Sequence, residues 1–305
     1  MAYFKCGEGS GTTVTIDEEV YDGELNLKSM IADISVSTLP YDFTWGSARE
    51  YKNELHILGG NATNHYKYDG TSWTSVSTLP IALNSDSRAE VLNDELHILG
   101  GNSTGKQHYK YNGKSWTSVS TLPYDFYNGT TTTIFNNELH ILGYGHTSSG
   151  KQHYKYNGKS WTSVSTLPYK FYCGSANEYK NELHILGGGE ATTKHYKYNG
   201  TSWTSVSTLP YDFMLGLGTV LNDELHILGG SNATNHYKYN GTSWTSVSTL
   251  PFEFLNGSGA VLNNTIHILG SSYSFSSGTS YIRPNSRAAR YRRAPQRAPC
   301  ASSDG

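Results

Sequence analysis

Glu54-Leu55-His56-Ile57-Leu58-Gly59-Gly60 is the stretch that decides the fold, because it occurs six times in this chain. The other copies lie at Glu95–Gly101, Glu138–Gly143, Glu182–Gly188, Glu224–Gly230 and, in altered form, Thr265–Gly270. A Leu-Pro pair recurs with it, and successive prolines are 40, 43, 45, 42 and 41 residues apart: Pro40, Pro80, Pro123, Pro168, Pro210 and Pro251. A period of this length predicts a repeat architecture.

Each repeat is predicted to be one four-stranded antiparallel sheet. Short apolar or alternating runs are separated by turn dipeptides, and Asp-Gly or Asn-Gly between alternating runs is a strong hairpin signal. The proline ends the last strand because it cannot donate to a ladder. In residues 46–77 the strands and turns are Gly46–Tyr51, Lys52-Asn53, Glu54–Gly59, His65–Tyr68, Asp69-Gly70 and Trp73–Ser77.

One such sheet has two apolar faces and cannot bury them alone. Six sheets set radially bury these faces against each other, so we predict an all-β, six-bladed β-propeller of four-stranded antiparallel blades. The last repeat has only a weak third strand at Ser280–Ile282, and its fourth strand is missing. We expect an N-terminal strand, Ile34–Ser37, to close the ring as that fourth strand. In the alternative, Val20–Gly23 donates a third strand as well.

The repeat resembles the Kelch repeat. An apolar strand ends in a glycine pair, and a Tyr and a Trp follow five residues apart, as Tyr68 and Trp73 do. WD40 repeats have a similar period, but the chain contains no Trp-Asp dipeptide. The resemblance covers about residues 31–283 and implies a propeller without implying one activity, because propellers host many functions.

Three regions follow from this pattern: an N-terminal extension (1–30), the propeller (31–283) and a basic C-terminal tail (284–305). The opening Tyr3–Gly7 looks like the amino termini of some phage structural proteins from Gram-positive hosts; a plain extension is the alternative. The tail is rich in Arg, Ala and Pro and has no Lys. It is interpreted as a disordered basic tail, a translated frameshift or fusion scar, or a nucleic-acid-binding arm.

The charge and composition of the chain limit the kinds of partner that it is expected to bind. Net charge is −2, with about +5 in the last 23 residues and −7 in the remainder, so the propeller is not expected to bind nucleic acid. No segment is apolar for the length of a membrane span, and no ordinary signal peptide is visible. Localisation stays open between a virion, a bacterial surface and the cytoplasm. The three cysteines, Cys6, Cys173 and Cys300, make no disulfide framework or zinc spacing.

Eleven of the twelve histidines repeat with the blades, six in second strands and five at the start of third strands. A metal or catalytic site in a ring is one asymmetric constellation, so these histidines are expected to be packed and hydrogen-bonded. We expect no metal, no cofactor and no catalytic residue. Tyr172-Cys173 is similar to the Cys–Tyr pair of Kelch-type copper oxidases, but no accompanying ligand set can be assembled.

The loops between strands two and three and between strand four and the next strand one vary from repeat to repeat. In a meander both emerge on the same side of the sheet, so they should form one variable face. That face carries aromatic residues and Met, which are enriched at interfaces: Trp45, Tyr127, Tyr144, His146, Tyr172 and Met214. The chain is predicted to be a non-enzymatic module that binds a protein or a cell-surface glycan there, on a phage tail or bacterial surface. The alternatives are a Kelch-type enzyme, either a copper oxidase or a sugar epimerase, and a structural filler.

Overall fold

The computed structural model describes residues 13–17, 39–41, 43, 46–60, 62–84, 87–101, 105–126, 129–143, 150–231, 234–247, 249–250, 253–270 and 287–292. These residues form strands and turns only, and none forms a helix that could cross a membrane.

Five consecutive sheets each have four strands in chain order. A strand β1 (Thr13–Asp17) comes before them. The first three blades are β2 (Ser47–Tyr51), β3 (Glu54–Leu58), β4 (His65–Tyr68) and β5 (Trp73–Ser75); β6 (Ser87–Leu92), β7 (Glu95–Gly100), β8 (His108–Tyr111) and β9 (Trp116–Ser118); and β10 (Thr131–Phe135), β11 (Glu138–Leu142), β12 (His153–Tyr156) and β13 (Trp161–Ser163). The next two are β14 (Ser175–Tyr179), β15 (Glu182–Leu186), β16 (His195–Tyr198) and β17 (Trp203–Ser205); and β18 (Leu217–Leu221), β19 (Glu224–Leu228), β20 (His236–Tyr239) and β21 (Trp244–Ser246).

Every one of these five blades is an antiparallel meander, as the turn dipeptides predicted. Both residues of the turn between the first two strands have φ between 49° and 59°, which is the type I′ geometry that suits a two-residue hairpin. At the hairpin between the third and fourth strands of the second blade, the Asn112 side-chain oxygen accepts the backbone N–H of Lys114 at 2.9 Å and of Ser115 at 3.0 Å. The Gly113 that follows Asn112 has φ of 98°, a conformation open to glycine.

The prediction of six such blades is wrong, since the described residues form five. The last repeat supplies only β22 (Ser258–Leu262) and β23 (Thr265–Gly270). The third position of this sixth sheet is taken by β24 (Arg287–Arg292), antiparallel to β23, and the fourth by β1, which runs parallel to β24. The physical reason is that this repeat lacks the His-Tyr-Lys-Tyr and Trp-Thr-Ser segments, so segments from both ends of the chain complete the sheet.

An N-terminal strand therefore does join the last sheet, but it is β1 rather than the predicted Ile34–Ser37. The third strand is likewise β24 rather than Ser280–Ile282. Residues 34–37, 20–23 and 280–282 lie outside the described residues. Six residues of the predicted tail form β24, and the boundaries at residues 30 and 283 stay predictions.

The core lies between neighbouring sheets. Tyr51 and Leu58 of the first blade pack against Leu96, Ile98 and Tyr111 of the second. The sixth sheet packs on both sides, through Ile266 and Ile268 against the fifth blade and through Leu262 and Leu269 against the first. The first strands thus follow one another around an axis, and β22 returns next to β2.

Candidate binding site at the propeller axis

The first strands of the six sheets enclose a cavity of about 390 Å³ at the axis. This volume lies in the range of small-ligand sites. The cavity is lined by β2, β6, β10, β14, β18 and β22 and by the residues just before them, so it extends to the end where strand four of one blade connects to strand one of the next.

Among the four strands of the repeat, the first strand, which lines the cavity, differs most between copies. The second, third and fourth strands read Glu-Leu-His-Ile-Leu, His-Tyr-Lys-Tyr and Trp-Thr-Ser in all five blades. The first strands share no such consensus: they read Ser-Ala-Arg-Glu-Tyr, Ser-Arg-Ala-Glu-Val-Leu, Thr-Thr-Thr-Ile-Phe, Ser-Ala-Asn-Glu-Tyr, Leu-Gly-Thr-Val-Leu and Ser-Gly-Ala-Val-Leu. The variable loops point to one face of the sheets, and the variable first strands are a second sequence signal that points to the axis.

A buried charge pair is built into the lining. Glu90 is 6% exposed. Its two carboxylate oxygens accept the Nε–H (3.1 Å) and an Nη2–H (2.6 Å) of Arg49, and the Thr132 hydroxyl donates to the same carboxylate at 2.7 Å. The Arg49 Nη1 also donates to the Ala48 carbonyl at 2.7 Å. Three neighbouring blades are therefore joined around the axis by one hydrogen-bonded cluster, the Arg49–Glu90–Thr132 cluster.

The opposite arc of the lining is less polar. It carries Leu215, Leu217 and Gly218 from the fifth blade and Ala260 and Val261 from the sixth sheet, together with the hydroxyls of Thr219 and Ser258. Because the two arcs differ, the cavity has one polar and one largely apolar wall.

Backbone hydrogen bonds form an arc at the mouth of the cavity. The N–H of Asn256 donates to the Leu215 carbonyl at 2.9 Å, that of Leu215 to Cys173 at 2.8 Å, and that of Cys173 to Gly129 at 2.9 Å. The three non-glycine residues have φ of 56° to 63°, in the left-handed region that costs such residues energy and is common at functional sites. Burial raises the pKa of the Cys173 thiol, and the charge of Arg88 opposes this.

Two of the six predicted contact residues are described, and both lie beside this mouth. Tyr172 and Met214 are partly exposed and immediately precede Cys173 and Leu215. The Tyr172 carbonyl accepts the N–H of Gly189 at 2.8 Å. A connection from strand four to strand one and a loop between strands two and three therefore meet here, on one face. Trp45, Tyr127, Tyr144 and His146 lie outside the described residues.

The repeated histidines form pairs away from the axis. In each blade the second-strand Nδ1 lies 2.7–2.9 Å from the third-strand Nε2, as in His56–His65. The expectation of packed, hydrogen-bonded histidines is confirmed for these five pairs. Burial is the main cause that lowers the pKa of His56 to about 4, against the opposing charge of Glu54, and the pKa of His65 to about 3.

The third-strand histidines of the first four blades also contact the next blade. The ring centroid of His65 lies 5.3 Å from Tyr111 and 5.7 Å from Trp116. The described residues contain no group of three or more His, Cys, Asp or Glu placed to hold a metal ion.

These features define the class of the protein as a β-propeller whose axial cavity has one polar and one largely apolar wall. The solved structure of YjhT is similar, with a TM-score of 0.67 and 16% sequence identity over 82% of this chain and 99% of that one. At this identity the similarity shows the propeller fold alone. No protein-family model and no curated protein matches the chain.

Proposed function

We propose that this protein is a non-enzymatic recognition module that binds a protein or glycan at the face where the axial cavity opens. One observation carries the proposal: five nearly identical blades differ mainly in the strands that line the cavity and in the loops beside its mouth. Repeats that serve only as a scaffold have no physical need for this difference, whereas a single ligand on the axis needs a different contact from each blade.

Binding without turnover is favoured by the state of Glu90, the buried carboxylate of the lining. Both of its oxygens accept hydrogen bonds within the Arg49–Glu90–Thr132 cluster. A general base needs a carboxylate oxygen within reach of substrate. The Kelch-type repeat and a location on a phage tail or bacterial surface belong to this proposal and rest on the sequence resemblances.

The test is a binding measurement with the full chain on a glycan array and on cell-wall fractions of Gram-positive bacteria. A Tyr172→Ala, Met214→Ala double variant should bind the captured partner at least tenfold more weakly, because a few aromatic and Met anchors carry most binding energy. Its melting temperature should stay unchanged, since both side chains are partly exposed.

The matched control is Lys114→Ala with Lys159→Ala. These lysines are exposed in the hairpins between strands three and four, which emerge at the other end of the sheets. If the lysine variant loses binding and the Tyr172, Met214 variant keeps it, the wrong face has been assigned.

A further inference from the structure

The axial cavity contains equal numbers of positive and negative side chains. Its charged lining residues, within the described chain, are Arg49, Arg88, Glu50 and Glu90, so the lining has no net charge. A cavity built to hold an anion by charge would carry an excess of cations. The lining therefore favours a neutral ligand that is recognised by hydrogen bonds.

Arg49 supplies a fixed hydrogen-bond donor for such a ligand. Among the described residues, its partners are Glu90 and the Ala48 carbonyl, which take three of the five N–H bonds of a guanidinium. The side chain is 26% exposed and lines the cavity. One N–H on each terminal nitrogen is thus left for a ligand, and the group is already held in place before binding, which lowers the entropic cost of recognition.

Other polar groups stand around the same cavity. Asn177 lines it from β14, where its amide donates to the Ser175 hydroxyl at 3.2 Å. Hydroxyls of Thr133, Thr219 and Ser258 come from three further strands. The apolar wall around Leu217 offers no hydrogen bond, so it suits the C–H groups of a ligand.

From these observations we infer that the cavity binds a neutral sugar residue, the end of a glycan, with its hydroxyls toward Arg49 and Asn177 and a C–H face toward Leu217. A pyranose ring combines a rim of hydroxyls with apolar C–H faces, and the volume of the cavity is that of a small-ligand site. The inference rests on the proposed function and narrows its partner to a glycan.

The experiment titrates the full chain with methyl β-glucopyranoside, methyl β-galactopyranoside and N-acetylglucosamine by calorimetry and by ligand-observed NMR. At least one neutral sugar should bind, and glucuronate should bind no more tightly than the glucoside. Arg49→Met with Glu90→Met removes the donor and its counter-charge together, and should weaken binding at least tenfold. Asn177→Leu tests the same cavity without touching the charge pair and should also weaken binding.

Glu178→Gln is the matched control, because Glu178 follows Asn177 on β14 but is exposed and does not line the cavity. It should leave sugar binding unchanged. The inference is overturned if no neutral sugar binds, if glucuronate binds more than tenfold tighter than the glucoside, or if Asn177→Leu has no effect. If sugars fail while a protein partner still binds through Tyr172 and Met214, only the inference falls. If no partner of any kind is captured, the proposed function falls with it.

Discussion

At the scale of single residues, the Arg49–Glu90–Thr132 cluster contributes both to the stability of the fold and to the candidate binding site. Taking a carboxylate out of water costs several kcal/mol, and the cost is offset only if its oxygens receive strong hydrogen bonds. Glu90 receives them from two different blades. The cluster should therefore hold the neighbouring first strands at fixed spacing as well as orient Arg49.

Glu90→Ala should destabilise the protein by about 3 kcal/mol, because it leaves the Arg49 guanidinium and the Thr132 hydroxyl without their partner. The Arg49→Met, Glu90→Met double variant should lie within about 1 kcal/mol of the natural protein, since paired apolar side chains can replace a buried ion pair. Urea denaturation followed by tryptophan fluorescence measures both. Equal losses in the single and double variants would contradict this account.

Sequence reasoning could reach some of these residues and not others. Large aromatic residues in predicted loops, such as Trp45 and Tyr127, are conspicuous in the sequence. Arg49 and Glu90 are 41 positions apart in different repeats, and only their approach around the axis makes them partners. The signal that could have found them is local: Arg49 and Glu90 are charged residues in first strands, and their counterparts in the other four copies are uncharged, namely Thr133, Asn177, Thr219 and Ala260.

At the scale of elements, the turns were the predictable part. Asn53 in the turn Lys52-Asn53 and Gly70 in the turn Asp69-Gly70 adopt positive φ more easily than most residues, so these turns fix where each strand ends. The strand β24 was not predictable in the same way, because Arg287–Arg292 lies in a stretch of Arg, Ala and Pro with no strand period. It pairs where an edge of β23 would otherwise stay open.

The pairing of β24 with β23 shows a similarity to the third strands of the complete blades that is hard to see in the sequence alone. Ile266 pairs with Tyr291 and His267 with Arg290, whereas Leu55 pairs with Tyr68 and His56 with Lys67 in the first blade. Arg290-Tyr291 thus occupies the register positions of Lys67-Tyr68. A basic residue followed by Tyr is the one feature that this segment shares with the third strands of the complete blades.

A chain that ends at Ser286 should melt about 10 °C lower than the full chain or aggregate, because β23 loses its partner and exposes an unpaired edge. A chain that ends at Arg293 keeps β24 and should melt like the full chain. Differential scanning calorimetry compares the two. Identical melting of both truncations would show that β24 contributes nothing to the fold.

At the scale of the whole molecule, the histidine pairs make stability depend strongly on pH. Burial lowers the pKa of four second-strand histidines to about 4 and of five third-strand histidines to about 3: His56, His97, His140 and His184, and His65, His108, His153, His195 and His236. In the unfolded chain the same histidines have a pKa of about 6.5. Stability is therefore full above pH 6.5 and is lost as the pH falls toward 4.

The expected result is cooperative acid unfolding with a midpoint between about pH 4.5 and 5.5. Each extra proton bound by the unfolded chain costs about 1.4 kcal/mol per pH unit, and nine such histidines together exceed the stability of most domains within one or two units. Near-UV circular dichroism against pH gives the midpoint. A native signal that persists below pH 3.5 would refute the buried neutral pairs.

The hydrogen-bonded arc at the mouth has a consequence for how such a protein changes its ligand. Gly129, Cys173, Leu215 and Asn256 are joined through main-chain atoms, so the spacing of these four backbone positions does not depend on hydrogen bonds from their side chains. The four positions already carry four unrelated residue types. Substitution in the loops and first strands can therefore alter the chemistry of the cavity mouth while these main-chain hydrogen bonds are kept. One scaffold can thus acquire new binding specificities without a change of fold.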